Sequence, residues 1–287
     1  MINYYLYKLG EFLASAIPLR MAYALAVFVT DTRFIFADQD RKFVYANLKA
    51  IFPDKSKAEI RAIRRRMFHN FAKYLVDFFR SPNNSPEYWK KNTNVEGFEH
   101  FDQALKKGKG VIVLTAHIGN WEMGGQLIGR AGYPFYVVAL PHANPAVNRF
   151  FDSRRETGGM QVIPFGKAAR ASLQVLKQNK LIALVGDRDF SKDRGIVVDL
   201  FGRPTYLPKG PAVLAIAMGS PIVPGFMIRN PDDTFTLKVL PPIEAGEGKK
   251  ASDDNDIREV IDRYKPVIED FIKRYPEQWY MFRQFWI

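Results

Sequence analysis

Apolar and polar positions divide the chain into two unlike regions. From about Val95 onward, short apolar runs recur at residues 111–115, 135–140, 162–165, 181–186, 222–226 and 234–240. Helical patterns lie between several of them, including 167–178 and 209–218, and a closing one covers 257–274 after the glycine-rich, charged stretch 246–256. Apolar runs alternating with helical stretches predict an α/β fold, a mixed central sheet flanked by helices. Ahead of it, Ile60, Ile63, Met67, Phe71, Tyr74 and Phe78 recur at three- and four-residue steps, which predicts an amphipathic helix over 59–80. The turn-forming run Ser81-Pro82-Asn83-Asn84-Ser85-Pro86 ends it. The organisation expected is a helical, basic, membrane-associating region over 1–94 and an α/β domain over 95–287.

Residues 12–29 are mostly apolar and form the one candidate membrane segment, but Pro18 and Arg20 interrupt its first half. A membrane span needs roughly 20 apolar residues, and a central Arg costs about 2.5–3.5 kcal/mol on insertion. A helix lying in the interface, or packed on the protein, fits better than a span. A cleavable signal peptide fits less well still, because no small-residue cleavage site follows.

Charge sharpens this picture. The 287 residues carry a net +12, of which +8 falls in residues 1–110, and Arg61, Arg64, Arg65 and Arg66 crowd the start of the 59–80 helix. A run of cations alone reads as a solvated face. Beside an apolar, aromatic terminus it reads equally well as a surface for anionic lipid. No nucleic-acid module accompanies the charge. Cysteine is absent, which excludes disulfides, cysteine–zinc sites and a thiol nucleophile. His69, His100 and His142 do not fall at metal-ligand spacing, so no metal is expected.

The candidate chemistry lies where the first apolar run ends, in Thr115-Ala116-His117-Ile118-Gly119-Asn120-Trp121-Glu122. The carboxyl ends of sheet strands are where α/β folds place their sites. On one helix, residues five apart point about 140° away from each other. With His117 in a turn, Asn120 as cap and Glu122 in the next helix, the imidazole can fold back to the carboxylate. A carboxylate on one ring nitrogen fixes the tautomer and makes the other a better base. Gly119, Gly124 and Gly125 would admit a substrate close to the backbone. An H-x₄-E match by itself is equally a structural histidine.

Further blocks accompany the dyad. Gly110–Glu122 reads GVIVLTAHIGNWE. Asn144-Pro145, Asn148-Arg149 and Arg154-Arg155-Glu156-Thr157-Gly158 follow, and then Gly186-Asp187-Arg188-Asp189 with Val198-Asp199-Leu200-Phe201-Gly202. Gly219-Ser220-Pro221-Ile222-Val223-Pro224 and Tyr275-Pro276-Glu277-Gln278-Trp279-Tyr280 complete the set, and Tyr45-Ala46-Asn47-Leu48 with Phe52-Pro53 precedes it. In this order the blocks resemble the lysophospholipid acyltransferase superfamily. The resemblance covers most of the chain and is greatest to the branch of bacterial lipid A biosynthesis acyltransferases and phosphatidylinositol mannoside acyltransferases. Two departures stand out. Met281–Phe285 lacks the histidine and paired basic residues of many lipid A enzymes, and the amino terminus is a weak span.

The resemblance implies direct acyl transfer without a bound cofactor. His117 would take the proton of an acceptor hydroxyl as it attacks an acyl carrier protein or coenzyme A thioester, and Glu122 would hold the imidazole. Gly119, Asn120, Arg154, Arg155, Asp187, Arg188 and Asp189 would line the substrate, with Arg154 or Arg155 on a phosphate and Asp187 and Asp189 supporting through hydrogen bonds. The acceptor implied is a glycolipid or lysophospholipid, and the place the cytoplasmic face of a bacterial inner membrane. An ester hydrolase using the same pair on water, and a catalytically silent lipid-binding relative, are the alternatives.

Overall fold

A computed structural model describes residues 2–36, 38–188, 195–246 and 248–287, without the side chains of Ile2, Asn3 and Ile35. Four helices lead, α1 (Ile2–Ala16), α2 (Leu19–Phe36), α3 (Asp38–Ile51) and α4 (Lys57–Arg80), followed by α5 (Pro86–Asn92). The rest runs β1 (Thr93–Glu96), α6 (Glu99–Leu105), β2 (Val111–Thr115), α7 (Trp121–Arg130), β3 (Phe135–Ala139), α8 (Pro145–Thr157), β4 (Met160–Pro164), α9 (Ala168–Lys177) and β5 (Leu181–Val185). It continues through β6 (Gly195–Leu200), β7 (Arg203–Pro208), α10 (Gly210–Met218), β8 (Ile222–Arg229), β9 (Phe235–Val239) and α11 (Asp254–Arg274). The six apolar runs are six of the seven strands in the main sheet. Its order is β1-β9-β8-β2-β5-β3-β4, parallel throughout except for β8 against β9. The seventh, β1, begins at Thr93, so the sheet starts two residues before the boundary drawn from sequence.

Both faces of the sheet are covered, which is why its central strands read as nearly continuous apolar runs. Ile112 and Leu114 face α9, α10 and α11, where Leu176, Ala212, Val260, Tyr264 and Phe271 are buried. Val111 and Val113 face the other way, into Trp89, Phe101, Met123 and Ile128. Phe226 of β8 is fully buried and stacks on Phe271 with ring centroids 4.0 Å apart.

The leading helices lie against this body. Pro18 separates α1 from α2, so the apolar stretch 12–29 is two helix ends joined at a break. Among the described residues, no helix is long and apolar enough to cross a membrane. Helix α4 has a complete capping box, with Ser56 and Glu59 bonding each other's backbone N–H. It holds α2 through Asp31, which receives Arg65 at 2.9 Å and His69 at 2.7 Å.

Sequence did not anticipate the antiparallel pair β6–β7. Phe201 and Gly202 form its two-residue connection with φ of 55° and 72°, the left-handed pair that tight hairpins require.

Truncating Phe226 to Ala should cost about 3–5 kcal/mol, measured by equilibrium denaturant unfolding. A loss below about 1 kcal/mol would mean that the stacked Phe226–Phe271 pair does not hold α11 to the sheet.

Candidate active site

Strand register brings the first two residues of the site together. Thr115 of β2 pairs with Val185 of β5, and the Gly186 N–H donates to the Thr115 carbonyl at 2.8 Å. Two residues beyond each strand end stand His117 and Asp187. Gly186 lies against the core, where a Cβ would sit 2.7 Å from the Leu114 side chain. His117 Nδ1 lies 2.7 Å from Asp187 Oδ1, and the Trp279 indole N–H donates to Asp187 Oδ2 at 3.0 Å. Asp187 and Trp279 are fully buried.

The carboxylate on the imidazole is therefore Asp187, and the expected pairing with Glu122 is corrected. Glu122 lies on α7 and receives three hydrogen bonds from Arg155 of α8, two from Nε at 3.1 Å and one from Nη2 at 2.6 Å. The physical reason lies in the turn. Asn120 caps α7 by accepting from the Met123 N–H at 3.1 Å, which fixes the helix start so that Trp121 stacks on Tyr74 of α4 and Glu122 turns toward α8.

The electrostatics follow from burial. Desolvation lowers the pKa of His117 below its ordinary value, helped by the nearby Arg188 and Arg283 and opposed by Asp187. Burial opposes ionisation of Asp187, but the His117 ring, Arg188 and the Trp279 N–H together bring it down to about 2. An anionic Asp187 accepts from Nδ1–H, so the neutral imidazole carries its lone pair on Nε2. Arg155 is held strongly protonated by Glu122 despite its burial.

Bacterial lipid A biosynthesis acyltransferases are the family whose profile matches residues 1–287. This chain belongs to that family. Among its relatives, a phosphatidylinositol mannoside acyltransferase of Mycolicibacterium smegmatis is 28% identical over 227 residues, 78% of this chain and 72% of that protein. A lipid A biosynthesis acyltransferase of Haemophilus influenzae is 22% identical, covering 85% of this chain and 74% of its own. The lipid A biosynthesis lauroyltransferase of Escherichia coli is 24% identical, with 79% and 74% covered.

In this acyltransferase the other residues expected at the site divide. Gly119 is at the turn, but the close approach it allows is to the protein itself. Its φ is 63°, its N–H donates to the Gln278 carbonyl at 2.9 Å, and a Cβ would fall 1.9 Å from the Met227 carbonyl oxygen. Arg188 donates to the Tyr280 carbonyl at 2.9 Å, which keeps it beside His117. Arg154 is not available for a phosphate. It is buried, ion-paired to Glu11 of α1, with its guanidinium 3.3 Å from the centre of the Phe150 ring. Neighbours on a helix point about 100° apart, so Arg154 faces α1 while Arg155 faces α7. Asp189 lies outside the described residues. His142 is exposed in the loop before α8, its ring 4.5 Å from Phe151.

Three contributors were missed. Trp279 was given no role within its block, and Asp77 and Arg229 were not singled out. They meet in a buried ion pair, with Asp77 also accepting from Asn120 Nδ2 at 3.3 Å. A charged residue inside the otherwise apolar face of the 59–80 pattern, and another ending a fully buried strand, were the available signals.

Gly119→Ala should strain the turn at both its backbone angle and the Met227 carbonyl, lowering stability by roughly 2 kcal/mol or more. Thermal unfolding of the purified variant checks this. A melting temperature equal to wild type would show that the turn rearranges freely.

Proposed function

We propose that the chain transfers a fatty acyl group from an acyl carrier protein or coenzyme A thioester to a hydroxyl of a membrane glycolipid or lysophospholipid, with His117 as general base. The observation that carries this reading is the hydrogen-bonded series Trp279, Asp187, His117, which leaves Nε2 as the basic nitrogen. His117 Nε2 takes the acceptor proton as the oxygen attacks the thioester carbonyl. The tetrahedral intermediate collapses with cleavage of the C–S bond, and the imidazolium returns the proton to the departing thiolate. Asp187 orients the ring and stabilises its charged form. Arg188, fixed by the Tyr280 carbonyl, suits the developing oxyanion. Glu122 and Arg155 anchor α7 to α8 beneath the turn.

The relatives named for phosphatidylinositol mannosides and lipid A support a glycolipid acceptor. The outer faces of α1 and α2 support delivery at a membrane. Tyr5, Leu6, Leu9, Phe12, Met21 and Phe28 are all more than half exposed, an apolar area uncommon on a surface facing only water. Exposed Arg20, Arg33, Arg61 and Arg66 supply cations for anionic headgroups. Arg64 is withheld from that set, half-buried over the Phe34 and Tyr45 rings.

Labelled acyl-carrier protein and acyl-coenzyme A, offered with vesicles containing glycolipid or lysophospholipid acceptors, should give acylated product with wild type. His117→Ala should lose about 10²–10⁴-fold. Full activity in that variant would overturn the base assignment, and fatty acid release without acceptor would identify a hydrolase.

The pH profile gives a second test. Deprotonated His117 is the working form and its pKa is lowered, so kcat/KM should fall only as pH drops through a value below about 6.5. Asp187→Asn removes the charge that favours the imidazolium, so the limb should move lower still. The rate should drop by about 10²-fold or more, as an amide can hold the wrong tautomer.

A further inference from the structure

Behind the turn that carries His117 lies a second charged cluster that the acyl-transfer chemistry does not touch. Asp77 of α4 is fully buried, and three donors from three different elements converge on it. The Tyr23 hydroxyl of α2 binds Oδ1, the Arg229 guanidinium at the end of β8 binds Oδ2, and Asn120 Nδ2 binds Oδ2 at 3.3 Å. Arg229 Nη1 also reaches the Tyr23 hydroxyl and Asp233 Oδ1, each at 3.2 Å, and Lys73 of α4 closes the series on Asp233 at 2.8 Å.

The cluster is joined to the turn twice. The side chain and carbonyl of Gln278 form the first joint. The Arg229 N–H donates to Gln278 Oε1 at 2.9 Å, Gln278 Nε2 donates to the Arg229 carbonyl at 2.8 Å, and the Gln278 carbonyl accepts from Gly119 N–H. The second is the Asn120 amide on Asp77. Its other end, Oδ1, caps α7 at Met123, so one side chain sets both the start of α7 and its distance from α4.

A buried ion pair is weak support for stability, since apolar replacement of both members is often neutral or stabilising. What the pair supplies here is geometry. We infer that Asp77 is a positioning residue for acyl transfer: it holds the Asn120 amide, and through it the His117 turn, in register with α4 and with Tyr23 of α2. The helix that seats Tyr23 presents Met21, Leu25 and Phe28 on its outer side. The proposed membrane-facing surface and the turn bearing His117 are thus two hydrogen bonds apart, Tyr23 to Asp77 and Asp77 to Asn120. This inference rests on His117 being the base.

A mutant square tests it. Asp77→Leu with Arg229→Met removes the charge pair together and leaves no lone buried ion. Asn120→Ser keeps a helix cap but loses the donor to Asp77. Each arm should lower kcat by about ten- to a hundredfold, with the KM for acyl-coenzyme A within about twofold and near-native thermal unfolding for the apolar pair. The combined variant should be no slower than the slower arm, because both arms remove one link. Wild-type kcat in the folded apolar pair, or losses that multiply in the combination, would overturn the proposal. If the apolar pair does not fold, Tyr23→Phe against Asn120→Ser completes a square read the same way, with a few-fold kcat loss expected for Tyr23→Phe. His117→Ala assayed alongside separates the two claims. Activity retained there refutes the base, whereas independent arms with an inactive His117→Ala refute only the positioning role.

Discussion

The parallel pairing of β2 with β5 is the constraint from which the site follows. Pairing Thr115 with Val185 leaves each strand the same number of residues short of a titratable side chain, so His117 and Asp187 arrive at one place without either loop having to search for the other. A slip of one residue along either strand would exchange the faces of every side chain beyond it. It would also move the carboxylate away from the ring by a full strand step. Ile112 and Leu114 fill one packed layer and Val111 and Val113 the other, so a slip would exchange side chains of different shape between two close-packed interiors. Core packing and site geometry are in this sense one requirement.

Around that pairing the molecule is braced by paired charges placed where helices meet the sheet. Arg155 with Glu122 joins α8 to α7, the helix that follows the His117 turn, and Arg229 with Asp77 joins the end of β8 to α4. None of these four groups faces open solvent, and each is satisfied by a partner from a distant stretch of chain. Removing a single member would leave a bare charge in a desolvated place, which is much more damaging than removing both.

Much of the architecture was legible in the sequence, because period-2 and continuous apolar runs report burial directly. Residues 111–115 coincide with β2 to the residue, and the 59–80 helix pattern lies within α4. The short strand β1 carries too few residues for a pattern, and the β6–β7 pair lacks the long apolar runs that revealed the main sheet. At the site, position was legible and partnership was not. His117 was found by its place after a strand, and Asn120 by its capping chemistry. Glu122 was assigned to the ring because it is near in sequence, whereas Asp187 reaches the ring through strand register across 70 residues. Arg154 and Arg155 were indistinguishable as a tandem, and only the helix phase separates the arginine sealing α1 from the one binding Glu122.

The groups at and behind His117 come from positions as far apart as Trp121 and Trp279, and Asn47 bonds the backbone of Met281, Arg283 and Phe285 across more than 230 residues. Contacts of such separation are slow to form, since the entropy of closing the chain is lost before they return anything. A helix such as α4 is built from local contacts, whereas the imidazole is oriented only by Asp187, 70 residues away, and Asp187 is in turn held by Trp279, a further 92 residues along. The arrangement of Trp279, Asp187 and His117 is therefore complete only when β2, β5 and the segment after α11 are all in place, and a partly folded molecule holds its histidine as an unaimed side chain.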